Sequence, residues 1–147
     1  MDFAEEMHSN MREMNFIMTR ILTKKLRDDA LTPSQSIALL YISENGEKMT
    51  VSNVCEKLKT PLSNTTNICN KLHDLGYINK TRDEVDHRKV YVEATKKGLN
   101  LAQDAFKSYS ELKKFIDEGF SSEEKEQGII FMRKASAMLN EYFKKIN

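Results

Sequence analysis

The chain has no long apolar run, little cysteine and almost no net charge, and each scarcity narrows what it can be. No stretch approaches the roughly 20 apolar residues of a membrane span. The first residues are acidic and polar, unlike a secretory leader, so a cytoplasmic protein without a membrane partner is expected. Two cysteines, Cys55 and Cys69, cannot form a disulfide framework, and a reducing compartment would keep both as thiols. Cys69 and His73 stand four apart, but four ligands in zinc spacing are missing, so no metal is expected. There is no phosphate loop, no nucleophile–base pair and no carboxylate pair suited to catalysis, so neither an enzyme nor a cofactor is expected. Repeats, linkers and low-complexity segments are absent too. At 147 residues the chain reads as one domain, 1–147, large enough to bury a real core.

What is present is a series of helix signals. Residues 3–30 carry Phe3, Met7, Met11, Met14, Met18, Ile21 and Leu22 at three-and-four spacing, which predicts a helix. Thr32-Pro33-Ser34-Gln35 starts a second helix by capping box, with Ile37, Leu40 and Tyr41 inward and a stop near Asn45-Gly46. Thr50 caps a short helix whose apolar side is Val51, Val54, Cys55 and Leu58. Thr60-Pro61 starts the next, with Gly76 as its C-cap. Residues 77–82 and 88–94 alternate as short strands joined by the polar turn 83–87. Thr95 caps a long helix with the stripe Leu99, Ala102, Phe106, Tyr109, Leu112 and Ile116. Ser121 and Glu124 box the start of a last helix carrying Ile129, Met132, Met138, Leu139, Tyr142 and Ile146. The expected fold is mainly α with a small β-hairpin wing: a winged helix-turn-helix at 31–98, with dimerisation helices at 1–30 and 99–147. The apolar stripes of those outer helices exceed what the central module can cover, so pairing across a two-fold axis into a homodimer is expected. The methionine row suits dimer core better than the wall of a ligand cavity.

The helix from Pro61 to about Leu75 concentrates the functional signal. Thr65, Ile68, Cys69, Leu72 and Leu75 fall on one side; Ser63, Asn64, Thr66, Asn67, Asn70 and Lys71 fall on the other. Ser, Thr and Asn are poor helix formers, so their density here opposes local propensity and points to a role beyond folding. In a major groove Asn can bond bidentately to adenine, while Ser, Thr and Lys reach bases or phosphates. In the hairpin, Arg82, His87, Arg88 and Lys89 gather around the turn. An arginine there can enter a narrow minor groove, and Asp86 can hold its guanidinium in a fixed direction. From Lys57 to Lys97 nine Lys or Arg face five acids, a surplus of four that suits a polyanion. Asn64-Thr65-Thr66 matches the glycosylation pattern, which a cytoplasmic chain does not use.

Leu31-Thr32-Pro33-Ser34-Gln35, then Leu72 to Ile78 with Gly76, then Asp86-His87-Arg88 leading into Val90, Val92, Thr95 and Gly98 form an ordered set. With these motifs the sequence resembles the MarR family of bacterial winged-helix transcriptional regulators over nearly its whole length. The resemblance implies a homodimer on a pseudo-palindromic operator, usually a repressor, often released by a small-molecule effector or an oxidant. It also implies that Thr66 matches the family's recognition-helix hydroxyl and that Asp86 and Arg88 match its wing pair. Four positions depart from the pattern. Lys59 stands where the family often has glycine, Thr65 where it often has valine, His87 for a second arginine and Ala94 for leucine. The oxidant-sensing branch carries its cysteine in the N-terminal helix, where this chain has none, so that route is not expected. A reading helix with Lys71 as its one cation implies a shallow salt dependence. It also leaves a competing expectation, a winged-helix protein-interaction module without specific DNA binding.

Overall fold

A computed structural model describes residues 2–24 and 31–146. Its elements are α1 (Phe3–Lys24), α2 (Pro33–Asn45), β1 (Met49–Thr50), α3 (Val51–Leu58), α4 (Leu62–Asp74), β2 (Ile78–Arg82), β3 (Val90–Ala94), α5 (Lys96–Gly119) and α6 (Ser122–Lys145). The end of the first expected helix, 25–30, lies outside the described residues. The fold is the expected one, mainly helical with a small antiparallel sheet. That sheet has three strands rather than two, in the order β1-β3-β2. Met49 and Thr50 pair with Val92 and Tyr91, too short a segment to register as alternation. The wing strands begin later than expected, because the Tyr77 N–H goes to the Leu72 carbonyl and the Tyr77 carbonyl accepts from Thr95 N–H. Arg88 and Lys89 belong to the turn.

The chain forms two compact units, 1–110 and 111–147. The first holds the core. Leu39, Ile42, Val54, Ile68, Leu72, Ile78 and Val92 are buried together, joining α2, α3, α4 and the sheet. A smaller cluster of Leu40, Ala102 and Ala105, flanked by Leu22, Leu101 and Phe106, joins α2 to α1 and α5. Helix α2 is thus buried on two sides. Ala38, Leu39 and Ile42 are its deepest residues, while Ile37 and Tyr41, expected inward, are half-buried. Burying one such Leu or Ile is worth about 1.5–3 kcal/mol. In the second unit α6 opens on the Ser121–Glu124 capping box, with the Ser121 and Glu124 backbone N–H groups bonded reciprocally at 2.8 and 3.2 Å.

Helix α5 buries only part of its apolar stripe within the chain. Leu99, Tyr109 and Ile116 are exposed, and the buried residues are Gly98, Ala102 and Ala105. Small residues face inward because α5 runs close to the chain at Tyr77, where a side chain at 98 would not fit. Thr95 caps this helix as expected: its hydroxyl accepts from Gly98 N–H at 3.1 Å and donates to the Gly76 carbonyl at 2.7 Å. Helices α1 and α6 have no buried residues, and Met11, Met14, Met132, Met138 and Leu139 are all exposed.

Candidate nucleic-acid interface

Helix α4 turns its two faces as the periodicity predicts. Thr65, Ile68, Cys69 and Leu72 are buried, Leu75 is half-buried, and Ser63, Asn64, Thr66, Asn67, Asn70 and Lys71 are exposed. Its start differs from the expected one. Pro61, not Thr60, is the N-cap residue, and no side chain caps the helix. The Thr60 hydroxyl instead lies 2.9 Å from that of Thr65, which is 0% exposed and 3.2 Å from the Pro61 carbonyl. A buried threonine needs such partners, and they let it stand where valine is frequent in the resembled family. At the other end Gly76, at φ 77°, closes a Schellman motif: its N–H bonds His73, and the next N–H, of Tyr77, bonds Leu72. The turn between α3 and α4 passes through Lys59 at φ 54°, a left-handed conformation. That is the reason glycine is favoured at such a position.

The wing turn is organised by its first residue, Asp83, which the sequence reading placed in the turn but not in the site. The Asp83 carboxylate accepts from the backbone N–H groups of Val85 and Asp86 at 2.9 and 2.8 Å. The amide of Asp86, then that of Val85, hold this carboxyl below the usual carboxylate range. Asp83 and Lys89 close the loop through a backbone bond, Asp83 N–H to the Lys89 carbonyl at 2.9 Å. An aspartate at the first position of a turn is a recognisable local signal. Within this turn Asp86 Oδ1 lies 3.2 Å from both the backbone N and the Nε of Arg88. The carboxylate therefore aims the guanidinium, although the arginine side chain is 93% exposed. Arg82, His87 and Lys89 are exposed around it.

Helix and wing meet at an open cleft of about 280 Å³, whose lining includes Thr50, Ser52, Thr66, Lys80, Arg88 and Lys89. Three cations and several hydroxyls share this one surface, an arrangement suited to a phosphate-bearing ligand. Lys80, a residue of β2 absent from the expected site, hydrogen-bonds the Asn70 side-chain oxygen. No local pattern links residues ten apart, so only the fold reveals this pair.

The two thiols differ in burial. Cys69 is fully buried, and burial pushes its thiol up to about 11, with Lys80 pulling weakly the other way. The Cys55 thiol donates to the Thr60 carbonyl at 2.9 Å. His73 Nδ1 donates to the Ile78 carbonyl at 3.1 Å. Among the described residues no three His, Cys, Asp or Glu gather as metal ligands, and no helix is long and apolar enough to cross a membrane. A second cleft, of about 210 Å³, lies between α1, α2 and α5, with Met18, Leu22, Tyr41, Glu44 and Phe106 in its wall. Met18 is the one member of the methionine row that reaches it.

A short α3, an α4 with a polar outer face and a hairpin carrying an aimed arginine define a winged helix-turn-helix regulator. The sequence model of the family described as "Transcriptional regulator SarA/Rot" matches residues 20–105, more than half of the chain. The chain belongs to this family of transcriptional regulators, which are not enzymes. It is 27% identical over 127 residues to YfiV, an uncharacterized HTH-type transcriptional regulator of Bacillus subtilis, across 80% of this chain and 78% of YfiV. Many solved structures share its fold. S. aureus MepR in complex with DNA gives a TM-score of 0.75 at 21% identity, over 89% of this chain and 96% of MepR. NMB1585, a MarR family regulator from Neisseria meningitidis, gives 0.79 at 16% identity over the whole of both chains. The MarR-type resemblance of the motifs thus holds for the fold.

Proposed function

We propose that this chain is a cytoplasmic, homodimeric bacterial repressor that binds a pseudo-palindromic double-stranded operator and is released by a small-molecule effector. The cleft shared by α4 and the wing carries this reading, since it sets Thr66 and Arg88 on one surface with two lysines. Ser63, Asn64, Thr66, Asn67, Asn70 and Lys71 read the major groove. Arg88, aimed by Asp86, enters the minor groove, and Arg82, His87 and Lys89 flank it on the backbone. The DNA complex of MepR, a protein of the same fold, supports the assignment.

Residues 31–98 form the DNA-binding module, and 1–30 and 99–147 the dimerisation helices of a single functional domain. The exposed methionines and leucine of α1 and α6 support pairing with a second copy, which removes them from water. The two reading helices must then match half-sites about one DNA turn apart. An effector in the apolar cleft between α1, α2 and α5 would act by changing that spacing.

Fluorescence anisotropy tests the reading, with duplexes from the region upstream of the gene and an unrelated duplex of equal length, at two salt concentrations. Sequence-dependent binding that saturates at two chains per duplex is the expected result. Arg88→Ala should weaken it and lower the salt slope by about two, one charge per protomer. Equal, weak, salt-erased binding to both duplexes overturns it. That result would favour the protein-interaction module, for which the single cation of α4, Lys71, speaks.

A further inference from the structure

Among the described residues, the large apolar side chains that stand exposed lie almost entirely on α1, α5 and α6 or at their ends. A second copy of the chain can cover those. Between residues 31 and 98 only Leu62 and Val85 are exposed in this way, and both lie on the candidate nucleic-acid interface. Leu62 is the first residue of α4, at the end where a reading helix meets base edges, and is 53% exposed. One turn further on, Thr66 shares its side of the helix and donates its hydroxyl proton to the Leu62 carbonyl at 2.9 Å. Both residues line the cleft between α4 and the wing, where Lys80, Arg88 and Lys89 supply the charge. The cations and hydroxyls of that cleft are matched by phosphate and sugar oxygens. Leucine is not matched by them, because its exposed surface gains free energy only against an apolar partner.

We infer that Leu62 is a specificity-determining residue of the reading surface, which packs on the C5 methyl group of one thymine in each half-site. The inference rests on the DNA-reading function proposed above and adds to it a base that the site prefers. Among the groups by which the major groove distinguishes the four bases, the thymine methyl is the apolar one; the others donate or accept hydrogen bonds. Thymine O4 and guanine O6 are both acceptors, so a donor on α4 does not by itself separate those two bases. A contact with the methyl does. Val85 has no such partner, since the wing is assigned to the minor groove, where thymine shows O2 and no methyl. Leu62 carries no charge, so its contact adds selectivity without adding to the salt dependence.

The test uses the full-length protein and an operator selected from randomised duplexes. Competition binding compares that operator with duplexes in which each symmetric pair of thymines is replaced in turn by deoxyuridine. The replacement removes the methyl and leaves every hydrogen-bonding group of the base in place. At one symmetric position wild type should lose about fourfold per half-site, or about fifteenfold for the pair, the worth of burying one methyl in each. Leu62→Ala and Leu62→Gln should bind the thymine and deoxyuridine duplexes equally at that position, with the wild-type salt slope. Leu62→Met, still apolar and of similar reach, should keep most of the discrimination. The inference is overturned if wild type binds every deoxyuridine duplex as tightly as the operator. It is also overturned if Leu62→Ala or Leu62→Gln discriminates as wild type does. Failure of wild type to select any sequence overturns the DNA-reading function as well. A selected operator whose half-sites lack thymine, or are indifferent to its methyl, overturns this inference alone.

Discussion

Replacing Gly98 with alanine sets two effects of opposite sign against each other. Inside a helix alanine is favoured over glycine by about 1 kcal/mol. Against this, a Cβ at 98 would lie 2.1 Å from the Tyr77 carbonyl oxygen, 3.1 Å from its carbon and 3.2 Å from Leu39 Cδ1. The nearest atoms are backbone, so no side chain can swing aside. To reach the 3.4 Å of ordinary contact, α5 and Tyr77 must separate by 1.3 Å. That movement stretches the Thr95 N–H bond to the Tyr77 carbonyl, 3.0 Å, and the Thr95 hydroxyl bond to Gly76, 2.7 Å. Each lost bond costs about 1 kcal/mol, and overpacking of this kind costs about 1–3 kcal/mol. The clash therefore outweighs the propensity gain, and Gly98→Ala should destabilise by about 2–3 kcal/mol. Urea titration at fixed protein concentration measures it, and the Tm should fall by about 5–10 °C. Gly46→Ala is the comparison: with φ at 69° and nothing within 4 Å, it has backbone strain alone and should cost about 1 kcal/mol. A Gly98→Ala protein as stable as wild type would refute the close approach of α5 to Tyr77.

Lys59→Gly should raise stability by about 1 kcal/mol, because glycine accepts the left-handed conformation at φ 54° without a Cβ penalty; an unchanged urea midpoint would count against that turn geometry. The depressed Asp83 carboxyl makes the wing turn sensitive to acid only. Its contribution is complete above the ordinary value of 3.8 and is lost as pH falls through the lower folded value, so the Val85 and Asp86 amide resonances should move as pH falls below about 4. Val85 and Asp86 amide resonances that do not move below about pH 4 would contradict the Asp83 bonds. The raised Cys69 thiol acts at the other end of the scale. The unfolded chain ionises at about 9.0 and the folded one at about 11, so stability should decline as pH rises from the first value toward the second, and alkylation at pH 8 should modify at most one thiol per native chain against two after denaturation.

Much of the fold was legible because the signals were local. Thr32 with Gln35, and Ser121 with Glu124, cap helices within four residues of chain, and the outward set of α4 follows from a period of 3.6. Thr60-Pro61 looks the same as Thr32-Pro33 on the page. Three residues on, however, it has Ser63 in place of Gln35, and its hydroxyl is drawn to buried Thr65. On α5 the expected stripe included Ala102 but not Gly98 and Ala105, because hydrophobic periodicity weighs large side chains, whereas close approach selects small ones. The site divides in the same way. Asp86 and Arg88 are two residues apart and readable; Lys80 reaches Asn70 across ten residues and only through the packing of β2 beside α4.

Thr50 occupies two elements at once. Its backbone pairs with Tyr91 in the sheet, and its hydroxyl accepts from Asn53 N–H at 3.1 Å to open α3. At this junction no residue separates β1 from α3, so the sheet is tied there to the helix-turn-helix without a joint. On the proposed function, an effector that weakens DNA binding should therefore shift wing and reading helix together. Its structural trace should be a translation or rotation of the whole module, with the distance from Thr66 to Arg88 conserved between the bound and released forms.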